Sequence, residues 1–256
     1  MSPQILAAEL SISSISRRWL VLPVLCLLAC PSPEPTPEQP QPDLSVSRDL
    51  APPPPPPDLL TRCELPYDLR DINMISTGSV TIMPTPADPN VFTAEIDATA
   101  GGSMKYSENP FVYIDLIGRK KVDITDVQAG THAGWDLALK RWQIKINSGD
   151  SGPAGVTVAR VAGKALPEVT MAPTGTYETD SYFDAKCKLL TDPIGGIATA
   201  LSDWYEYDTV TSRLVPQKEV LVLKRRDGQG HIKVQIMSYY KGSTSGIFVL
   251  NWSYLP

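Results

Sequence analysis

Ser151 stands in the run Gly149-Asp150-Ser151-Gly152-Pro153, a setting that suits a serine nucleophile. Such a serine attacks only when a histidine takes its proton and a carboxylate orients that histidine. In the trypsin-like chain order both partners come from strands far upstream. The only histidine before Ser151 is His132, nineteen residues away, and His231 lies downstream. The run therefore reads as a glycine-rich turn. Two histidines 99 residues apart also lack the close ligand spacing of a zinc site. The sequence predicts no catalytic residue and no protein-held metal.

Four cysteines invite a different chemistry. Arg17 and Arg18 precede the apolar run "WLVLPVLCLLAC", Trp19 to Cys30, the pattern of a secretory signal over residues 1–29. The run is too short to remain as a membrane span. Its end, Leu27 to Cys30, resembles a lipobox, whose cysteine is lipidated and becomes the new N-terminus. A plain signal with an incidental cysteine is the simpler alternative. "SRRWLV" is a poor match to a twin-arginine signal because of Leu20 and Val21. Cys26 leaves with the signal and Cys30 carries lipid. Cys63 and Cys187 remain, an even pair in an exported chain, and a disulfide between them is expected, with two buried thiols as the alternative.

Residues 30–62 form a tether. Twelve of the 25 prolines fall within 31–62, including the unbroken Pro52–Pro57. Proline fixes φ and removes a donor, so such a chain stays extended and solvated. Pro31 after the cysteine, by resemblance to bacterial lipoproteins, implies sorting to the outer membrane. The net charge is −5 and no basic stripe occurs, which argues against nucleic acid as a partner.

The remaining segment, 63–256, must position whatever site exists, and it is long enough to bury one core. Phe92, Ala94 and Ile96 alternate with polar residues. Phe111–Ile117 and Lys120–Thr125 flank Gly118 as a hairpin. Val220–Leu223 and Ile232–Ile236 flank Asp227-Gly228, a strong turn signal. Phe248, Leu250, Trp252 and Tyr254 share one strand face. These signals predict a single all-β domain, an antiparallel β-sandwich or open barrel. Trp135, Leu139, Trp142 and Ile146 also fit a helical period. The β neighbourhood favours two strands instead, Trp135–Leu137–Leu139 and Trp142–Ile144–Ile146, joined by a bulge or a change of sheet.

The segments "FVYIDLIGRKKVDIT", "GWDLALKRWQIKINSGDSG", "TDSYFD", "WYEYD", "VLVLKRRDGQGHIKVQIMSYY" and "TSGIFVLNWSY" follow in that order. Together they resemble the HmuY family of haem-binding lipoproteins over roughly residues 90–256. The resemblance implies an all-β haemophore on the outer-membrane surface that passes haem to a TonB-dependent receptor. It implies two side chains on the iron, histidines in some members and methionines in others. Many members carry histidine directly before the arginine that is Arg141 here. This chain has Lys140, which binds iron only after its ammonium loses a proton, and a lysine in water does so only near pH ~10.4.

Met171, about thirty residues on, is then the first axial candidate, since a thioether is a soft haem ligand. His132 is the second and Lys140 the third. Trp135, Trp142, Tyr177 and Tyr182 are candidate pocket walls. A ring held from two sides needs Thr131–Arg141 and Pro167–Tyr177 to meet, with Asn147–Gly155 turning the chain back between them. Two function classes follow: a carrier of haem or a related tetrapyrrole, or a surface interaction module of the same fold that has lost haem. An enzyme has no residue support.

Overall fold

The structure is a computed structural model that describes residues 63–66 and 69–255. The signal, Cys30 and the tether lie outside the described residues. Twelve strands form among the described residues: β1 (Val80–Pro84), β2 (Phe92–Asp97), β3 (Val112–Asp115), β4 (Lys120–Val122), β5 (Leu137–Lys140), β6 (Gln143–Ile146), β7 (Thr157–Ala162), β8 (Tyr205–Asp208), β9 (Arg213–Pro216), β10 (Glu219–Lys224), β11 (His231–Lys241) and β12 (Thr244–Leu255). A single helical turn, α1 (Asp126–Ala129), follows β4. Its capping box is complete: the Gln128 N–H donates to Thr125 Oγ1, and the Thr125 N–H donates to Gln128 Oε1.

The strands build a six-stranded sheet in the order β1-β2-β12-β11-β10-β7, a four-stranded sheet β4-β3-β5-β6 and the ribbon β8-β9. Every named strand pair is antiparallel. One apolar core lies between the two larger sheets. It takes Phe92, Ala94 and Ile96 from β2 and Phe248, Leu250 and Trp252 from β12, and meets them with Val112, Ile114, Leu137, Leu139, Ile144 and Ile146 from the smaller sheet. The period-two alternation of these strands is what sends one set inward. The fold is the antiparallel sandwich that the alternation predicts.

Apolar residues on the outward faces make two further clusters. Phe111, Tyr113, Trp135 and Ala138 pack on the outer side of the four-stranded sheet. Val220, Val222 and Leu255 pack under Leu166 and Val169 on the outer side of the six-stranded sheet. Residues 220–223 thus face apolar neighbours on both sides, which explains their unbroken apolar run. Arg226, in the β10–β11 loop, donates to Asp136 Oδ2 at 2.6 Å and Asp115 Oδ1 at 2.7 Å, tying the sheets together at one end.

Two expectations for Trp135–Ile146 are corrected. The phase switch between Leu139 and Trp142 is neither a bulge nor a change of sheet. β5 and β6 pair with Lys140 opposite Gln143, so Arg141 and Trp142 are a two-residue hairpin loop. Arg141 sits at φ 51°, a left-handed conformation usually left to glycine or asparagine. It is held there because its N–H donates to the Ala98 carbonyl at 2.7 Å and its guanidinium donates to Ser245 O and Oγ. Trp135 also does not share a face with Leu137 and Leu139. β5 begins only at Leu137, and Trp135 turns to the outer cluster, edge-on to Tyr113 at 5.1 Å.

Candidate functional site

The outer side of the four-stranded sheet carries an unusual set of buried polar groups. Lys145 lies opposite Ala138 on β6, and Lys140 ends β5 on the same face. Both are nearly sealed, at 5% and 6% exposure. Their ammonium groups sit 4.2 and 4.4 Å from the Phe111 ring centre, and Lys145 is 5.2 Å from that of Tyr182. Neither forms an ion pair among the described residues. Burial pulls the Lys140 pKa down to about 8, with Asp126 opposing and Lys145 adding to the fall.

Beside this face opens a cleft of about 870 Å³, lined by Tyr113, Asp126, Thr131, Lys145, Ser151 and Tyr182 among others. That volume lies in the roughly 300–1,000 Å³ range of small-ligand sites. Glu64, Asp71, Asp150 and Asp184 also line it, so its wall is largely acidic. Asp126 accepts from the Phe111 N–H and the Tyr113 hydroxyl, both at 2.9 Å, and from the Ile72 N–H at 3.2 Å. Burial, reinforced by Asp126, raises the Tyr113 pKa well above its ordinary value. Burial pushes Tyr182 up to about 12 against the pull of Lys145. Both phenols are therefore protonated at neutral pH. Cys63, at the edge of the cleft, is joined to Cys187 in a disulfide with Cα atoms 5.3 Å apart.

Ser151 is buried and bonds to Asp180 and to the Tyr182 hydroxyl. No histidine touches it among the described residues, so the turn reads as structural. Gly149 is required there: at φ 54° a Cβ would fall 1.9 Å from the Asp180 carbonyl oxygen. Asn147, fully buried, donates to the carbonyls of His132 and Trp135 and accepts from the Ala154 N–H. The Asn-Ser-Gly signature is thus a brace for the chain entering β5. Among the described residues, no three histidine, cysteine or acidic side chains are grouped to hold a metal.

The structure does not bring the axial candidates together. His132 is exposed in the turn after α1, where its Nδ1 accepts from the Gly134 N–H. Met171 is 78% exposed, between Val169 and Ala172, which pack with Val220 and Val222 on the opposite outer face. The segments Thr131–Arg141 and Pro167–Tyr177 therefore do not close one pocket. The reason is topological. Asn147–Gly155 carries the chain from β6 in one sheet to β7 at the edge of the other, rather than folding it back.

The proposed walls are scattered too. Trp135 is sealed in a core cluster. Trp142 donates its indole N–H to Asp192 at 2.8 Å and lies tilted against Tyr106, ring centres 5.0 Å apart. Tyr177 lies 5.6 Å from the His231 ring. Of the aromatics singled out in the sequence, Tyr182 alone lines the acidic cleft. Lys145 went unnoticed because strand alternation reads an outward lysine as solvated.

Lys140 supplies a test of this electrostatic picture. Its folded pKa, about 8, lies below its unfolded value, so between about pH 8 and 10 the unfolded chain binds more protons and stability rises with pH. Lys140→Met is expected to stabilise the domain at pH 7 by roughly 1–3 kcal/mol and to flatten that rise. Urea denaturation at pH 7 and 9.5 checks it; equal pH slopes for variant and wild type would refute the buried charge.

A family model described as HmuY protein matches residues 107–254, from the approach to β3 through most of β12. No curated protein matches significantly. Among solved structures, one described as an HmuY-like heme binding protein from Bacteroides vulgatus is 22% identical. It covers 69% of this chain and 98% of its own, with a TM-score of 0.47. The apo HmuY analog of Tannerella forsythia is 18% identical over 71% of this chain and 98% of its own, also at 0.47. A Bacteroides fragilis structure described as a lipoprotein is 19% identical over 65% and 92%, at 0.46.

Proposed function

The chain belongs to the HmuY family, and from that premise we propose that it is an exported lipoprotein that binds haem or a related tetrapyrrole and hands it to a TonB-dependent receptor of the outer membrane. The observation that carries the reading is the family match over 107–254, which spans the β5–β6 hairpin and the β10–β12 meander. In this reading residues 1–29 are the signal, Cys30 carries the lipid, and 30–62 hold the domain away from the bilayer. At about 3.1 Å per residue a proline-rich tether reaches several nanometres. The protein performs no turnover; haem is its cargo.

The axial donors follow from access. Met171 offers a thioether at the surface, and His132 an imidazole with Nε2 free of any protein partner among the described residues. They lie on opposite faces, so one ring takes only one of them from this chain. Lys140 offers a lone pair only above about pH 8. A second reading, the interaction module without haem, is favoured by one observation: at the position where many members place a histidine, a buried ammonium packs on Phe111. Titration of the mature chain with haem, followed at the Soret band, separates the two. Saturable binding is expected from the first reading and none from the second.

A further inference from the structure

A second cleft, of about 930 Å³, opens where β12 runs past the start of β2 and reaches onto the outer face of the six-stranded sheet. The register of β11 and β12 builds its floor, setting Lys233 beside Ser253 and Gln235 beside Asn251. A register shift between Ile236 and Ser238 lifts Met237 to half exposure at one end. Leu166 and Pro167 form one wall, and Phe92 with the loop before it forms the other.

The hydrogen-bonding capacity of this floor is unbalanced. Asn251 Oδ1 already accepts from the Thr93 hydroxyl at 2.7 Å, and Gln235 Oε1 accepts from the Leu166 N–H at 3.1 Å. Both amides are thereby oriented, and their NH₂ ends have no protein acceptor among the described residues. Lys233 donates one proton to the Val169 carbonyl at 2.9 Å and has two to spare. Arg119 lies over the Phe92 ring at 4.1 Å. Neither cation forms an ion pair among the described residues. Among the described residues the one carboxylate in the lining is Asp88, which accepts from the Asn90 backbone and side-chain N–H groups and whose charge also acts on Lys233. Spare donors and two cations beside apolar walls call for a ligand rich in acceptors, negatively charged, with an apolar body.

We propose that this cleft binds a carboxylate carried on a flat apolar body, with Lys233 and Arg119 meeting the carboxylates and Pro167, Leu166 and Met237 covering the body. A tetrapyrrole with its two propionates is such a ligand. The proposal rests on the tetrapyrrole reading for the ligand's body, but recognition runs through the acid groups and needs no iron. It also explains how a chain whose thioether and imidazole candidates stand apart could still hold the ring.

The experiment is a titration of the mature chain with metal-free protoporphyrin IX and with its dimethyl ester, which keeps the ring and loses the charges, followed by porphyrin fluorescence. The diacid is expected to bind at least about tenfold more tightly than the diester. Lys233→Glu should weaken the diacid by a similar factor and leave the diester unchanged. Arg119→Glu, at an exposed position, repeats the test where Lys233→Glu disturbs folding. Equal affinities for diacid and diester overturn the proposal, as does wild-type diacid affinity in both folded variants. If those variants also keep a wild-type haem spectrum, the cleft assignment falls while the haem reading stands. If the wild type takes neither haem nor protoporphyrin, both fall.

Discussion

Asp180→Ala is expected to destabilise the domain by roughly 3–5 kcal/mol, because each buried N–H left without an acceptor costs about 1–3 kcal/mol. Asp180 is almost sealed from solvent. Its Oδ2 accepts from the Ile146 N–H and its Oδ1 from the Ala200 N–H, each at 2.9 Å, and the Ser151 hydroxyl bonds to it as well. One carboxyl therefore joins the end of β6, the glycine turn and the loop before β8. Alanine would strand two buried backbone donors and one hydroxyl. Asp180→Asn keeps a single acceptor oxygen and should lose about half as much. Burial raises the folded pKa of Asp180 to about 6. Its folded value exceeds its unfolded one, so its contribution grows as pH falls from about 6 toward 4 and is lost as pH rises through 6. Guanidinium denaturation at pH 7 and pH 4.5 measures both effects. A loss below about 0.5 kcal/mol in Asp180→Ala would contradict the junction.

Opening the disulfide is the second large effect. Cys63 and Cys187 are 124 residues apart in sequence. Closing a loop of that length in the unfolded chain corresponds to roughly 4–5 kcal/mol in the chain-entropy account, and less where reduction relieves local constraints. The start of the domain is held at Ile72 as well, whose N–H donates to Asp126 Oδ2 and whose carbonyl accepts from the Asp126 N–H. Reduction is therefore expected to lower the denaturation midpoint and to loosen Cys63, Glu64 and Leu65, which line one side of the acidic cleft. Denaturation with and without reductant, together with non-reducing peptide mapping, measures this. Thiols that alkylate in the native protein would contradict it.

Much of this fold was legible in the sequence because its strands alternate cleanly. Phe92, Ala94 and Ile96 face the core, and the Asp227-Gly228 turn joins β10 to β11 as expected. The β5–β6 turn was hidden because Arg141 occupies a left-handed position without being glycine or asparagine, held by Ala98 and Ser245 more than 40 residues away along the chain. Local signals carry no trace of such distant partners. The site was harder still. The spacing of His132, Lys140 and Met171 is compatible with one pocket, but only the sheet order reveals that the chain changes sheets between Ile146 and Thr157. Lys233, Gln235 and Asn251 look like ordinary outward residues of alternating strands. Their spare donors become visible only once the partners of each amide oxygen are known.

The most direct test of the central claim is the Soret-band titration of the mature wild-type chain with haem, run with oxidised and with reduced iron. The account predicts a saturable one-to-one shift at micromolar or lower haem in at least one oxidation state. Met171→Ala should alter the band position if the thioether reaches the iron, and Lys140→Met should leave it unchanged at pH 7. No saturable shift in either oxidation state would contradict the account and leave the surface interaction module in its place.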